Sequence, residues 1–348
     1  MPRNRLCRMM SAVLLLISLP CFVNEDEADG ASPLDPNGLP LITKIGTVDT
    51  AHQADGSFIV FQNQLYYLRW QGTENGYQNG YFQFSKDKTG ETAPPFARGY
   101  GCGQAMVDKG TIYVSSTNDI DTADGQNKIF IHASTDMVNW QVRQALDLPG
   151  WFVFKSSTCK ADSRYVMMLE VFKSPSEGRS GAYCRFATSQ DMIHWKMTPS
   201  ECWFDNGDGF AAGHFLRYLD GKFYVFYLGK DPVNGGWAMY VARSSDLIQW
   251  EKSPLNPVLR ASEEDRKIAN PNLSAEQRAW IAKKTDINNS DMYYVEYDGQ
   301  VMIDYFWDDQ TADPVGRGVG RAIYRGTETQ FLHGWFRETV EGTKPHSK

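Results

Sequence analysis

The sequence predicts an all-β chain folded as a five-bladed β-propeller, with four antiparallel strands to a blade and one short helical insertion before the last blade. Two interleaved repeats carry that expectation. The first reads Ala-Ser-Thr-Asp-Met-Val-Asn-Trp at 133–140, and returns as Thr-Ser-Gln-Asp-Met-Ile-His-Trp at 188–195 and Arg-Ser-Ser-Asp-Leu-Ile-Gln-Trp at 243–250. Asp136, Asp191 and Asp246 are 55 residues apart, a period that points to a repeat architecture. Each copy reads as a turn: alternating residues lead in, a Ser/Asp cluster reverses the chain, and a Trp starts the next strand. A looser copy runs from Ala322 to Trp335, and a degenerate one covers Phe82 to Asp87.

The second repeat is an apolar strand, a short turn and an aromatic-rich strand. Its five copies are Phe58–Tyr67, Ala105–Val114, Cys159–Met168, Phe215–Tyr227 and Tyr293–Phe306. Two of them turn at Asp-Gly (Asp220-Gly221 and Asp298-Gly299), a strong short-range hairpin signal. Two hairpins per unit give four strands, the content of a propeller blade. The first blade is expected to open at Thr47 to Gly56, and the insertion is expected within residues 254–287. There Ser274-Ala275-Glu276-Gln277 forms a capping box ahead of a helix running to Lys284.

Of 348 residues, 42% are hydrophobic and 13% aromatic, ample for a core. Arg3, Arg5 and Arg8 precede an apolar run from Met9 to Leu19, too short to span a bilayer and matching a signal peptide. The expected organisation is a signal peptide at 1–23, a flexible acidic lead-in at 24–40, the propeller at 41–340 and a disordered tail at 341–348. The location implied is secreted or periplasmic; Cys21 invites a lipid anchor, but Pro20 before it fits one poorly. Losing the three leader arginines moves the formal charge from -7 to -10. An acidic exported domain is a poor partner for nucleic acid or an anionic membrane. The four remaining cysteines, Cys102, Cys159, Cys184 and Cys202, match no zinc spacing, and suit buried thiols and bridges equally.

In a propeller the innermost strands converge on one axis. Aligning the hairpins by their turns brings Asp55, Cys102 or Gln104, Lys155, His214 and Asp291 to the starts of those strands. The ends of the second strands add Trp70, Asn118, Glu170, Lys230 and Trp307 around the mouth. Charged groups where a core strand would carry apolar residues point to a site. Paired carboxylates across a cavity are the minimum apparatus for glycoside hydrolysis, one protonating the leaving oxygen while the other activates water or attacks the anomeric carbon. Rim tryptophans such as Trp70 and Trp307 suit the apolar faces of sugars. Plainer readings stand beside these: Asp55 as a turn residue next to Gly56, His214 as a hydrogen-bonded core histidine, Glu170 as the partner of Lys155 or Lys173. No metal or cofactor is expected, since His52 has no second histidine at ligand spacing; Asp286 with Asp291 leaves room for a structural cation near the axis. No serine-hydrolase, zinc-protease, P-loop or dinucleotide motif is present.

Ser244 to Glu251, followed by Pro254-Leu255-Asn256-Pro257-Val258-Leu259, resembles the blade-end signature of five-bladed glycoside hydrolases of the family 43, 32 and 117 type and of related phosphorylases. Ala51-His52 and the run from Asp55 to Tyr67 resemble the first blade of family 43, where an Asp ahead of this hairpin is the general base. Residues 288–310 and 322–336 are similar to uncharacterised bacterial propellers grouped with these enzymes, so the resemblance covers nearly the whole domain. It implies an exported glycoside hydrolase that removes a terminal sugar from a plant or algal oligosaccharide or polysaccharide, with inversion. Asp55 becomes the base, Asp291 or Glu170 the acid, and His52, Trp70, Lys155, Asp208, His214 and Trp307 hold the sugar. The chain departs from family 43 where that pattern has an Asp in the second blade and a Glu entering the third: here stand Cys102/Gln104 and Lys155. A non-catalytic carbohydrate-binding propeller is the alternative. A phosphorylase or lyase comes third, with Lys155 and Arg98 as its cationic groups.

Overall fold

Alternating apolar and polar residues from Ile42 onward build five antiparallel sheets in the computed structural model, which describes residues 34, 39–51, 56–72, 80–117, 126–174, 181–207, 212–311 and 316–338. The described residues belong to one compact unit, Pro33–Lys348. The signal-peptide segment, most of the lead-in and the 341–348 tail lie outside them.

The first strand, β1 (Ile42–Ala51), does not open blade one. Blade one is β2 (Gly56–Phe61), β3 (Gln64–Gln71) and β4 (Tyr81–Lys86), and the bridges Phe82↔Phe96 and Ser85↔Thr92 lay residues 92–96 in the fourth place. Blade two is β5 (Gly101–Asp108), β6 (Thr111–Thr117), β7 (Lys128–Ser134) and β8 (Gln141–Asp147). Blade three is β9 (Phe152–Ala161), β10 (Arg164–Lys173), β11 (Tyr183–Ser189) and β12 (Trp195–Met197), with β13 (Trp203–Phe204) also on β11. Blade four is β14 (Gly213–Leu219), β15 (Lys222–Lys230), β16 (Trp237–Ser244) and β17 (Glu251–Lys252). Blade five is β18 (Asn288–Tyr297), β19 (Gln300–Asp308) and β20 (Arg317–Tyr324), completed by β1, which pairs with β20 from Ile42↔Tyr324 to Ala51↔Arg317. The two ends of the domain thus share one sheet, which removes a free edge from the ring.

Local chemistry explains both repeats. In the first, Asp136 Oδ1 accepts from the amides of Val138 (2.9 Å) and Asn139 (2.8 Å) while Ser134 Oγ accepts from Met137 N (2.9 Å). Asp246 and Ser244 repeat the arrangement with Ile248, Gln249 and Leu247. The residue after each aspartate adopts positive φ, +61° at Met137, +64° at Met192 and +65° at Leu247, and its side chain is buried. The motif tryptophans pack: Trp140 stacks on Phe96 with centroids 3.8 Å apart, and Trp250 Nε1 donates to Trp203 O. In the second repeat, Asp298 and Gly299 both take positive φ, as a two-residue type I′ hairpin requires.

The insertion carries the expected helix, α1 (Ala275–Lys283), with the capping box between Ser274 and Gln277 formed and Trp280 and Ile281 buried. Two further helical turns accompany it. A 3₁₀ turn spans Glu263–Arg266, and a second helix, α2 (Glu328–Gly334), follows β20 under its own capping box, Thr327 with Gln330. Because β1 already fills the outer place of blade five, the chain after Tyr324 has no strand to make there. Trp335 caps α2 and is buried.

The insertion is fastened to β1 and β18 by ionic contacts. Lys44 Nζ reaches Asp265 Oδ2 (2.6 Å), Asn289 Oδ1 (2.7 Å) and the Arg260 carbonyl. Asp265 is fully buried and accepts a hydrogen bond from the Tyr305 hydroxyl. Burial and the neighbouring Asp265 carboxylate push Asp286 up to about 9, so Asp286 keeps its proton while Asp265 stays ionised.

Candidate active site at the propeller axis

A register shift near the start of the innermost strand recurs in four blades. Gly101 and Gln104 of β5 pair with Thr117 and Ser115; Gly213 and Phe215 of β14 pair with Tyr227 and Phe226; Ser290 and Tyr293 of β18 pair with Phe306 and Asp304. On β9 the ladder jumps from Ser156↔Leu169 to Val153↔Val171. Each shift is a bulge, which leaves extra residues unpaired and re-aims their side chains. The extra residues are Cys102-Gly103, Phe154-Lys155, His214 and Asp291-Met292. Cys102 (φ +56°) and Asp291 (φ +51°) sit in the left-handed region, which costs a side-chain-bearing residue about 1–2 kcal/mol.

The bulges meet at a narrow cavity walled by all five blades. Blade one gives Gly56, blade two Cys102, Gly103 and Gln104, blade three Lys155, blade four His214, and blade five Asp291 and Tyr293. Asp291 Oδ1 accepts a hydrogen bond from Lys155 Nζ and lies 3.2 Å from His214 Nδ1. Burial alone would raise the Asp291 pKa; the ammonium of Lys155 and the ring of His214 outweigh it and hold this carboxyl well below the usual range. Asp291 is therefore an ionised carboxylate. Gln104 Nε2 donates to the backbone carbonyl of His214, bracing the blade-four bulge.

A buried ionic layer joins blades one and five beside the cavity. Arg69 donates to the hydroxyl of Tyr293 and reaches Asp304 Oδ2 at 3.2 Å. Arg321 Nε donates to Asp304 Oδ1 at 2.9 Å and its NH1 to Asp87 at 3.1 Å. Gly56 fits against this layer closely, since a Cβ there would lie 2.7 Å from the Tyr293 hydroxyl and 2.8 Å from Arg69 NH1.

Of the residues that the sequence put forward, Lys155, His214 and Asp291 come together. Glu170 does not line the cavity; it is buried within blade three, in register with Cys184. Trp70 and Trp307 are corrected from rim platforms to packed side chains. Trp307 has no exposure, donates to Thr47 Oγ1 and lies against Trp280. The Trp70 ring is enclosed by Gly72 and Gly80, where a Cβ would approach it to 2.0 Å. His52, Asp55, Asn118 and Asp208 lie outside the described residues, although Asp55 is bonded to Gly56 of the cavity wall. Asp286 faces Asp265 and the insertion, and the positive charge beside Asp291 comes from Lys155. Among the described residues no three His, Cys, Asp or Glu side chains gather as a metal site. Cys102, Cys159, Cys184 and Cys202 are buried thiols not bridged to one another, and burial pushes Cys159 up to about 12.

Sequence reasoning missed Tyr293 and Arg69. It also missed a half-buried aromatic group beside Lys155: Phe172 meets Phe152 and Phe154 edge-on, each at 5.8 Å, and Lys155 Nζ lies 5.5 Å from the Phe154 ring. The run Trp151-Phe152-Val153-Phe154 was the available signal.

Fold and site together define a five-bladed β-propeller with a polar axial cavity. No protein-family model matches the sequence, and no curated protein matches it. Solved structures do. A complex of BT0996 with RGII aligns with TM-score 0.56 at 13% identity over 88% of this chain and 95% of that one. A structure named Glycoside hydrolase aligns with TM-score 0.53 at 14% identity over 88% and 95%. The GH43 BlXynB protein from Bacillus licheniformis aligns with TM-score 0.53 at 15% identity over 81% of this chain and 54% of that one. At these identities the likeness is one of fold.

Proposed function

We propose that this protein is an exported glycoside hydrolase that removes a single terminal sugar from plant or algal oligosaccharides, with inversion. The observation that carries the reading is the ionised Asp291 in a small cavity at the axis, in a fold shared with structures named as glycoside hydrolases. Glycosidic cleavage passes through an oxocarbenium-like transition state. A fixed carboxylate in a low-dielectric cavity stabilises that positive charge without reorganising. Held ionised, Asp291 is not the proton donor. Asp55, which precedes Gly56 in the sequence, is our candidate for the second carboxyl of the pair. Phe152, Phe154 and Phe172 offer the apolar surface that Trp70 and Trp307 do not.

The test is release of reducing sugar from a panel of plant and algal oligosaccharides that includes RGII fragments, with the product anomer followed by NMR. Asp291→Asn, folded by circular dichroism, is expected to lose release. Retained release in that variant would remove the site. One observation favours the binding-module alternative: Asp291 is the sole carboxylate among the described residues of the cavity wall. Binding of a panel member without cleavage would establish it.

A further inference from the structure

Tyr293 is 1% exposed and lines the axial cavity on the same strand as Asp291. Phe58 packs edge-on against its ring at 5.4 Å, and its hydroxyl accepts a hydrogen bond from Arg69 NH1. A guanidinium only donates, so the hydroxyl must send its own proton elsewhere. Burial lifts the Tyr293 pKa above the usual phenol range, and the proton therefore stays on the oxygen. Among the described residues no group accepts it. The hydroxyl stands against Gly56, where a Cβ would lie 2.7 Å away, so the absent side chain leaves it open to the cavity that both residues line. Blade four shows a matching deficit: His214, 5% exposed, has no hydrogen-bond partner at either ring nitrogen. Buried polar groups are rarely left so, and two such walls on one narrow cavity call for a polar occupant.

We propose that Tyr293 is a specificity-determining residue of the axial cavity, its hydroxyl giving one hydrogen bond to a single hydroxyl oxygen of the bound sugar; this rests on the reading above that the cavity takes a sugar. Arg69 sets the direction of that bond, and Arg69 is itself held, reaching Asp304 Oδ2 at 3.2 Å while Arg321 Nε donates to Asp304 Oδ1 at 2.9 Å. The donor is thus fixed before the sugar arrives, which spares the cost of ordering it on binding. Asp291 beside it is ionised and can only accept. The two neighbours on β18 therefore present opposite characters, a donor and an acceptor, and a sugar hydroxyl, which both accepts and donates, suits the pair. A site built to hydrogen-bond a hydroxyl rejects the analogue that lacks it, because the buried donor is then left unpaired.

The probes are the methyl glycosides of L-arabinose, D-xylose and D-galactose, with the singly deoxygenated forms of whichever binds best. Each is titrated calorimetrically into wild type and Tyr293→Phe, with folding checked by circular dichroism and melting. In wild type one deoxygenated form should bind about 10- to 100-fold more weakly than its parent. In Tyr293→Phe that ratio should fall to within about twofold, while the penalties at the other positions persist. A structural role would weaken parent and analogue alike and leave the ratio where it was. Should Tyr293→Phe not fold, 3-fluorotyrosine at position 293, a stronger donor of nearly the same shape, should widen the ratio. An unchanged ratio in the folded protein overturns the proposal, while the hydrolase reading is judged separately by release of reducing sugar. Wild type that binds none of the three also overturns the proposal; if it releases nothing from the oligosaccharide panel, the hydrolase reading falls with it.

Discussion

Lys155→Met tests the axial ion pair directly. The side chains of Lys155 and Asp291 are 8% and 11% exposed, so the substitution strands a buried carboxylate that retains His214 as its nearest neighbour. Removing one partner of a buried pair costs about 3–5 kcal/mol. For a domain of this size each kcal/mol moves the midpoint by about 2 °C, so Tm at pH 7 should fall by about 6–10 °C. The pH dependence has a definite sign. Asp291 titrates lower in the folded than in the unfolded chain, so its contribution is full above the unfolded value of about 3.9 and is lost as pH falls through the folded one. The gap between wild type and variant should therefore persist at pH 7 and close in acid. Thermal and urea unfolding of Lys155→Met, Asp291→Asn and the double variant form a cycle, in which the double variant should recover part of the loss. A single variant within 1 kcal/mol of wild type at pH 7, or strictly additive effects, refutes the argument.

Other perturbations reach the scaffold. Asp286 keeps its proton up to about 9 in the folded protein, so stability should decline as pH rises from about 4 towards 9; Asp286→Asn should flatten that decline in melts from pH 5 to 9, and parallel curves would count against the shared proton. Gly318→Ala places a Cβ 2.1 Å from Trp307 Nε1, and overpacking of this kind costs about 1–3 kcal/mol or more. Urea midpoints should register it, while the KM for any cleaved sugar stays put, as it would not if Trp307 were a sugar platform. In protein lacking the first 23 residues, thiol reagent should find no reactive cysteine in the native state and four after denaturation; two would indicate a bridge.

The parts of this fold that were legible are local ones. The Ser-x-Asp turns and the Asp-Gly hairpins announce themselves because each satisfies its own backbone within a few residues. Lys155, His214 and Asp291 could be singled out because a charge at an innermost strand start conflicts with core packing. Ring closure was not legible: the alternation of β1 looks the same whether it opens blade one or completes blade five, and only the tertiary pairing with β20 decides. Tyr293 was hidden by the bulge at Asp291, which offsets the period-two reading beyond it. Trp307 looked like a rim residue because it ends a strand, yet the glycine opposite, Gly318, makes the room that buries it. Cross-strand glycine beside an aromatic was the sign to read.

The β1–β20 seam has a temporal consequence. A chain made from its N-terminus must hold Ile42–Ala51 without its partner until Arg317–Tyr324 has been synthesised, almost the whole domain later. Blades one to four can gather early from neighbouring hairpins, whereas the last sheet waits for the largest loop closure in the molecule. Until then an unpaired strand is open to foreign edges. The seam then fastens last, committing all five blades together.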